Sequence, residues 1–154
     1  MDRLLPLPSM MLLLPALFQA YGGEGNLSRE GTLIEVEARS FMAAYADDIR
    51  AARRKAIVAR YDRGGAYRVG EGQKIFETHA VISASYESEW NPPRTFEWRD
   101  LSYEVIGENA VIVVGCFDWG TRAGKTLSFS YTGVLTRQNG ELVIRLEDES
   151  RTRS

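Results

Sequence analysis

The sequence has little that could support metal, redox or disulfide chemistry. Cys116 is its only cysteine and His79 its only histidine, in 154 residues. A lone thiol forms no intrachain disulfide, and one Cys with one His cannot supply the ligands of a zinc site. No cofactor and no metal are expected. Neither sign of charge dominates: 19 basic and 21 acidic residues leave a net charge of −2. There is therefore no general electrostatic case for nucleic acid or an anionic membrane as partner. A glycine-rich phosphate loop of recognised spacing is missing, and so is any internal repeat. What remains is a balance of 44% hydrophobic and 26% charged residues, sized for one domain around one core.

The first residues differ from the rest. In "MDRLLPLPSMMLLLPALFQAYGGEG", Arg3 starts a largely apolar run from Leu4 to Phe18, and Ala20-Tyr21-Gly22 offers small residues for cleavage. This is the grammar of a secretory signal, too short and too often broken by Pro6, Pro8 and Pro15 for a membrane span. The expected organisation is a signal over residues 1–22, a linker over 23–31, one domain over 32–150 and a tail over 151–154. The mature chain is expected to be exported, periplasmic or secreted, or cytoplasmic if the segment is no signal.

Thr32-Leu33-Ile34-Glu35 fits a capping box and predicts a helix start. Ile34, Ala38, Phe41, Tyr45, Ile49, Ala52 and Ala56 then recur every three or four residues, one apolar stripe of a helix. A break near Asp47–Arg53 divides this stretch in two. "AYRVG" is a short strand. Thr78 caps a further helix carrying Ile82, Tyr86 and Trp90 on one face, and Asn91-Pro92-Pro93 ends it. From Thr95 the period becomes two. A phase slip at Arg99-Asp100 predicts a β-bulge, and residues 110–119 are apolar on both faces. The layout is helix, helix, strand, helix, then four antiparallel strands: an α+β domain of helices packed on a strongly curved, mostly antiparallel sheet.

The last hairpin turns at Asn139-Gly140, a type I′ signal. Pairing Gln138 with Glu141 sets Leu135 against Ile144, Gly133 against Leu146 and Tyr131 against Asp148. The other face pairs Thr136 with Val143, Val134 with Arg145 and Thr132 with Glu147. In this unbroken register Asp148 is the inward acid of "LEDES", Glu147 and Glu149 point out, and Gly133 leaves room that could deepen a cavity. A carboxylate beside a phenol on an apolar wall suits acid–base chemistry, with Asp148 as proton acceptor and Tyr131 as hydrogen-bond donor. The same pair could equally be two polar groups satisfying each other at a strand end. Tyr61, Trp90, Trp98, Phe129 and Leu146 are the expected walls of a pocket, or core. Asp118 could face either way. The small polar face of Ser128, Ser130 and Thr132, beside residues 110–119, suits a second copy of the chain.

Three stretches, "FMAAYADDIRAARRKAIVARYDRGGAYRVG", "LSYEVIGENAVIVVGCFDW" and "SYTGVLTRQNGELVIRLEDES", resemble the nuclear transport factor 2-like superfamily in its SnoaL-like, ketosteroid isomerase-like bacterial branch, over about residues 33–150. The resemblance implies a cone-shaped α+β domain, often a homodimer packed through its sheets. Its members include isomerases, polyketide cyclases, dehydratases and non-catalytic binding modules. Leu146 departs from the pattern where many relatives carry a polar or histidine residue, and a second inward carboxylate would need Asp118. The expected function is binding of a small, partly apolar molecule in the cone. The alternatives are an isomerase, cyclase or hydrolase-type enzyme using Asp148 and Tyr131, or an interaction module with a filled cone.

Overall fold

The computed structural model describes residues 24–70 and 72–152. The segment read as an export signal, residues 1–22, lies outside them. The chain order is α1 (Glu24–Arg50), α2 (Arg54–Ala59), β1 (Ala66–Gly70), β2 (Gln73–Glu77), α3 (His79–Ser88), β3 (Thr95–Ile106), β4 (Ala110–Gly120), β5 (Thr126–Gln138) and β6 (Glu141–Arg151). The strands form one sheet in the order β2-β1-β6-β5-β4-β3. Every neighbouring pair is antiparallel except β1 and β6. The expected α+β architecture, with helices on a curved, mostly antiparallel sheet, is present. No helix among the described residues is long and apolar enough to cross a membrane.

The apolar stripe of α1 becomes core: Ile34, Ala38, Met42, Tyr45, Ala46 and Ile49 are buried. The helix begins at Glu24, so Thr32 lies inside it and the capping box is not its start. The stretch breaks where expected. Ala52 takes a positive φ of 53°, and α2 follows at once. Asp48 is the anchor of that corner, buried and paired with Arg53 and Arg60. Thr78 caps α3, its Oγ1 accepting from the Val81 amide at 3.4 Å. The sequence reading missed β2. Its residues are exposed at four of five positions, so an edge strand leaves no alternating apolar trace.

Two bulges bend the sheet. The slip expected at Arg99-Asp100 is present between Arg99 and Ser102, with Asp100 at a positive φ of 54°. The other was not foreseen. Gln138 pairs with Glu141 and Leu135 with Ile144, as the Asn139-Gly140 turn dictates, but Val134 then pairs with Leu146. Arg145 is the extra residue. Its guanidinium donates to the Gly65 carbonyl at 2.7 Å, which holds it against the loop before β1. Beyond a one-residue bulge every side chain changes face.

Candidate functional site

The bulge rewrites the end of β6. Tyr131 now pairs with Glu149, Thr132 with Asp148 and Gly133 with Glu147. On β5 the inner face is as expected, with Tyr131, Gly133 and Leu135 buried. Glu147 and Glu149 therefore project into the cone, and Asp148 turns to the outer face with Leu146 and Ser150. Asp148 accepts from Ser150 Oγ at 2.9 Å. The expected Asp148–Tyr131 pairing is thus replaced by a Glu149–Tyr131 pairing, and Leu146 is off the inner wall. Asp118 also faces out, held by Ser128 Oγ at 2.6 Å and Arg99 at 3.1 Å. The second inward carboxylate comes from β6 itself, two residues from the first and roughly 7 Å along the strand.

Glu147 is 3% exposed and ringed by phenols from separate elements. Tyr61 donates to Oε2 at 2.5 Å and Tyr45 to Oε1 at 3.2 Å. Tyr86 stands behind Tyr61, hydroxyl to hydroxyl at 3.0 Å. Because Tyr61 spends its hydrogen on Glu147, Tyr86 donates in that pair. The register of the chain after α2 makes this possible. Ile144 N donates to the Arg60 carbonyl and Asp62 N to the Ile144 carbonyl, which lays Tyr61 alongside β6. The Tyr131 hydroxyl reaches the same carboxylate from β5, yet forms no well-directed hydrogen bond and is the one buried side-chain polar atom without a partner among the described residues. Gly133 makes room for it: a Cβ there would stand 2.6 Å from Tyr131 Oη. The space that Gly133 frees is filled by the tyrosine and does not deepen a cavity.

Burial dominates the charge state of Glu147 and pushes its pKa up. Tyr61, the Arg68 charge and Tyr45 oppose this without cancelling it. Glu149 is raised to about 8, by burial first and by the Glu147 charge second, with Arg68 pulling the other way. Glu149 is only half-buried and borders open space in the cone. Arg68 Nη1 lies 3.3 Å from Glu77 Oε2. Burial alone would lower the Arg68 pKa; the tyrosines and carboxylates around it outweigh that and raise it.

A cavity of about 210 Å³ opens beside these groups, lined by Glu149, Arg68 and the rings of Tyr86, Trp90, Trp119 and Phe129 among others. Of the expected wall residues, Trp90 and Phe129 are there. Tyr61 instead belongs to the carboxylate cluster. Trp98 is packed on Tyr45, Phe96 and Tyr131 and donates through Nε1 to the Met42 carbonyl at 3.0 Å, so it fills the base of the cone. His79 bonds the Val58 carbonyl at 3.2 Å, a structural tie between α3 and α2. Among the described residues no group of His, Cys, Asp and Glu is arranged to hold a metal.

No protein-family model matches the chain, and no curated protein matches it. Solved structures do. An NTF2-like protein of unknown function from Shewanella oneidensis superposes with a TM-score of 0.68 at 12% identity, over 75% of this chain and 98% of that one. A provisionally assigned ketosteroid isomerase from Parabacteroides distasonis gives 0.64 at 15% identity, over 73% and 86%. A provisionally assigned scytalone dehydratase from Novosphingobium aromaticivorans gives 0.64 at 9% identity, over 81% and 89%. At such identities the likeness is one of fold.

Proposed function

We propose that this nuclear transport factor 2-like domain binds a small, largely apolar molecule in the cone, with the ligand's polar end against Glu149. One observation carries the reading. An acid with no hydrogen-bond or ion-pair partner among the described residues opens onto a cavity walled mainly by aromatic rings, with Ile49, Leu127 and the Glu77-paired Arg68 beside them. Few polar groups converging in an apolar hollow is the usual composition of a ligand site. At about 210 Å³ the hollow has the volume of roughly seven waters, so the ligand is a fragment-sized molecule or the end of a longer one.

A second reading is supported by the position of the Glu149 pKa near 8. A general acid or base works best when its pKa lies near the operating pH, and the neighbouring Glu147 supplies the like charge that separates two carboxylates in function. Names such as ketosteroid isomerase and scytalone dehydratase, carried by similar folds, are compatible with proton transfer but do not select it.

A thermal-shift screen of small aromatic compounds tests the binding reading, run on wild type and on Leu127→Trp, which fills the cavity from its own wall. Compounds should shift the wild type and leave the variant unmoved. Equal shifts in both, or none in either, would sink it. Pairing of two copies through the outer sheet face is part of the same reading, supported by Val114, 47% exposed in the middle of β4. Light scattering on Val114→Lys checks it, a dimer giving way to a monomer. Export rests on residues 1–22 as sequence, and N-terminal sequencing of the chain after expression in a bacterium would read out the cut.

A further inference from the structure

The chemistry around the cavity narrows its ligand beyond "small and apolar", provided that the binding reading above holds. We propose that the cavity takes an organic cation, an ammonium group on a small apolar body, with Glu149 as its counter-ion.

The rings do not lie in one stack. Trp90 meets Trp119 at 82°, Phe96 meets Trp119 at 90° and Tyr86 meets Trp90 at 56°. A guest in the cavity meets aromatic side chains carried by α1, α3, β3, β4 and β5 rather than one flat stack. The negative faces of Trp and Tyr attract a cation, and more so where water is excluded.

A hollow of about 480 Å³ leads to the cavity and shares Arg68, Phe129 and Glu149 with it. Its lining includes Glu77, Glu89, Glu147 and Glu149 against a single basic residue, Arg68. Glu77 is already paired with Arg68, and Glu147 and Glu149 are both raised, Glu149 to about 8, so the excess of negative charge develops as the inward acids ionise, a change that a bound cation favours.

Arg68 pairs with Glu77 at 3.3 Å, and its guanidinium stands 6.0 Å from the centre of the Tyr86 ring. That pairing offsets its charge, so Arg68 does not by itself make the cavity a site for an anion. Glu147 is held by Tyr61 and Tyr45. Glu149 is left. A half-buried carboxylate without a partner costs free energy, and a cation with apolar substituents offsets that cost while filling the ring-walled space.

The test uses phenethylamine, phenethyl alcohol and phenylacetate, three probes of one apolar body that differ in charge. Binding is read by tryptophan fluorescence, since Trp90 and Trp119 line the cavity, and checked by calorimetry. Phenethylamine should bind about tenfold or more tightly than the alcohol. In Glu149→Gln that preference should vanish, and a cooperative thermal melt shows that the variant is folded. If the alcohol or phenylacetate binds as well as the amine, or the amine preference survives in Glu149→Gln, the cation assignment is wrong and the binding reading stands. If none of the three binds, both are overturned.

Discussion

Tyr61 donates to Glu147 across 2.5 Å, joining residues 86 positions apart in the sequence. The bond fixes the end of the helical layer to the last strand of the sheet. With Tyr45 on the other carboxylate oxygen, it gives a buried acid its solvation from phenols alone. Such networks are costly to leave half-made.

Removing the acceptor should therefore cost more than removing one donor. Glu147→Ala strips the partner from two tyrosines and opens a hole beside them, and we expect a loss of about 3 kcal/mol. Tyr61→Phe removes one donor, and about 1–2 kcal/mol is expected. Urea unfolding followed by tryptophan fluorescence gives both values. A Glu147→Ala chain as stable as Tyr61→Phe would mean that the cluster is not a connected unit.

The two inward acids also set the pH dependence of stability. Both have folded-state pKa values raised above their ordinary value, Glu149 to about 8. For an acid raised on folding, the folded chain holds its proton longer than the unfolded one. The stabilisation is complete below the ordinary carboxylate range and is lost as pH rises toward about 8. Glu149→Gln cannot ionise and should escape its share of that loss. It should match wild type near pH 4 and exceed it at pH 9 by on the order of 2 kcal/mol, allowing for solvent access. Thermal melts across this range read the difference. A variant less stable than wild type at pH 9 would show that Glu149 ionises without penalty.

Most of this fold was legible because each element carried its own local signal. The apolar stripe of α1, the Thr78 cap, the slip at Arg99-Asp100 and the Asn139-Gly140 turn are all statements about neighbours in sequence. The identity of the inward acid was not legible. Ile144 and Leu146 alternate as an unbroken strand should, and an unbulged register makes equal sense of them. The bulge at Arg145 is held by the Gly65 carbonyl, and its product, an inward Glu147, is satisfied by tyrosines from α1 and the loop after α2. Those partners come from distant parts of the chain. The one trace in the sequence was the row of three acids, which guarantees an inward carboxylate in either phase.

Gly133 gives a separate test of how tightly the Tyr131 ring is held. A methyl group there would meet Tyr131 Oη at 2.6 Å and two ring carbons at 3.0 Å. The ring cannot swing away freely, because Trp98 lies 4.7 Å from its centre on another side. Gly133→Ala should destabilise the chain by about 1–3 kcal/mol. Adding Tyr131→Phe removes the closest contact and should recover about 1 kcal/mol of that, a coupling that a double-mutant cycle measures. Strict additivity would mean that the strand, not the ring, absorbs the strain.

The counter-ion role proposed for Glu149 would make the binding of a permanent cation depend on pH in a defined direction. Benzyltrimethylammonium keeps its charge at every pH, so any change belongs to the protein. The groups around Glu149 are Glu147 and Asp148 on β6, Arg68 on β1 and Glu77 on β2. From the helices, the residues that follow them and β5 come Tyr45, Tyr61, Tyr86, Glu89 and Tyr131. Tyr45, Tyr86 and Tyr131 are pushed well up by burial first and stay protonated throughout, and Arg68 stays charged. The change between pH 7 and 9 is thus that of the two inward acids, led by Glu149 with its pKa of about 8. Only about a tenth of Glu149 is ionised at pH 7 and about nine-tenths at pH 9, so affinity for the cation should rise roughly tenfold across that interval. By linkage, binding at pH 7 should release close to one proton, which calorimetry in buffers of different ionisation enthalpy measures directly. In Glu149→Gln the slope should flatten. A wild-type affinity that is level or falls from pH 7 to 9 would show that the ionised Glu149 is not the group that meets the cation.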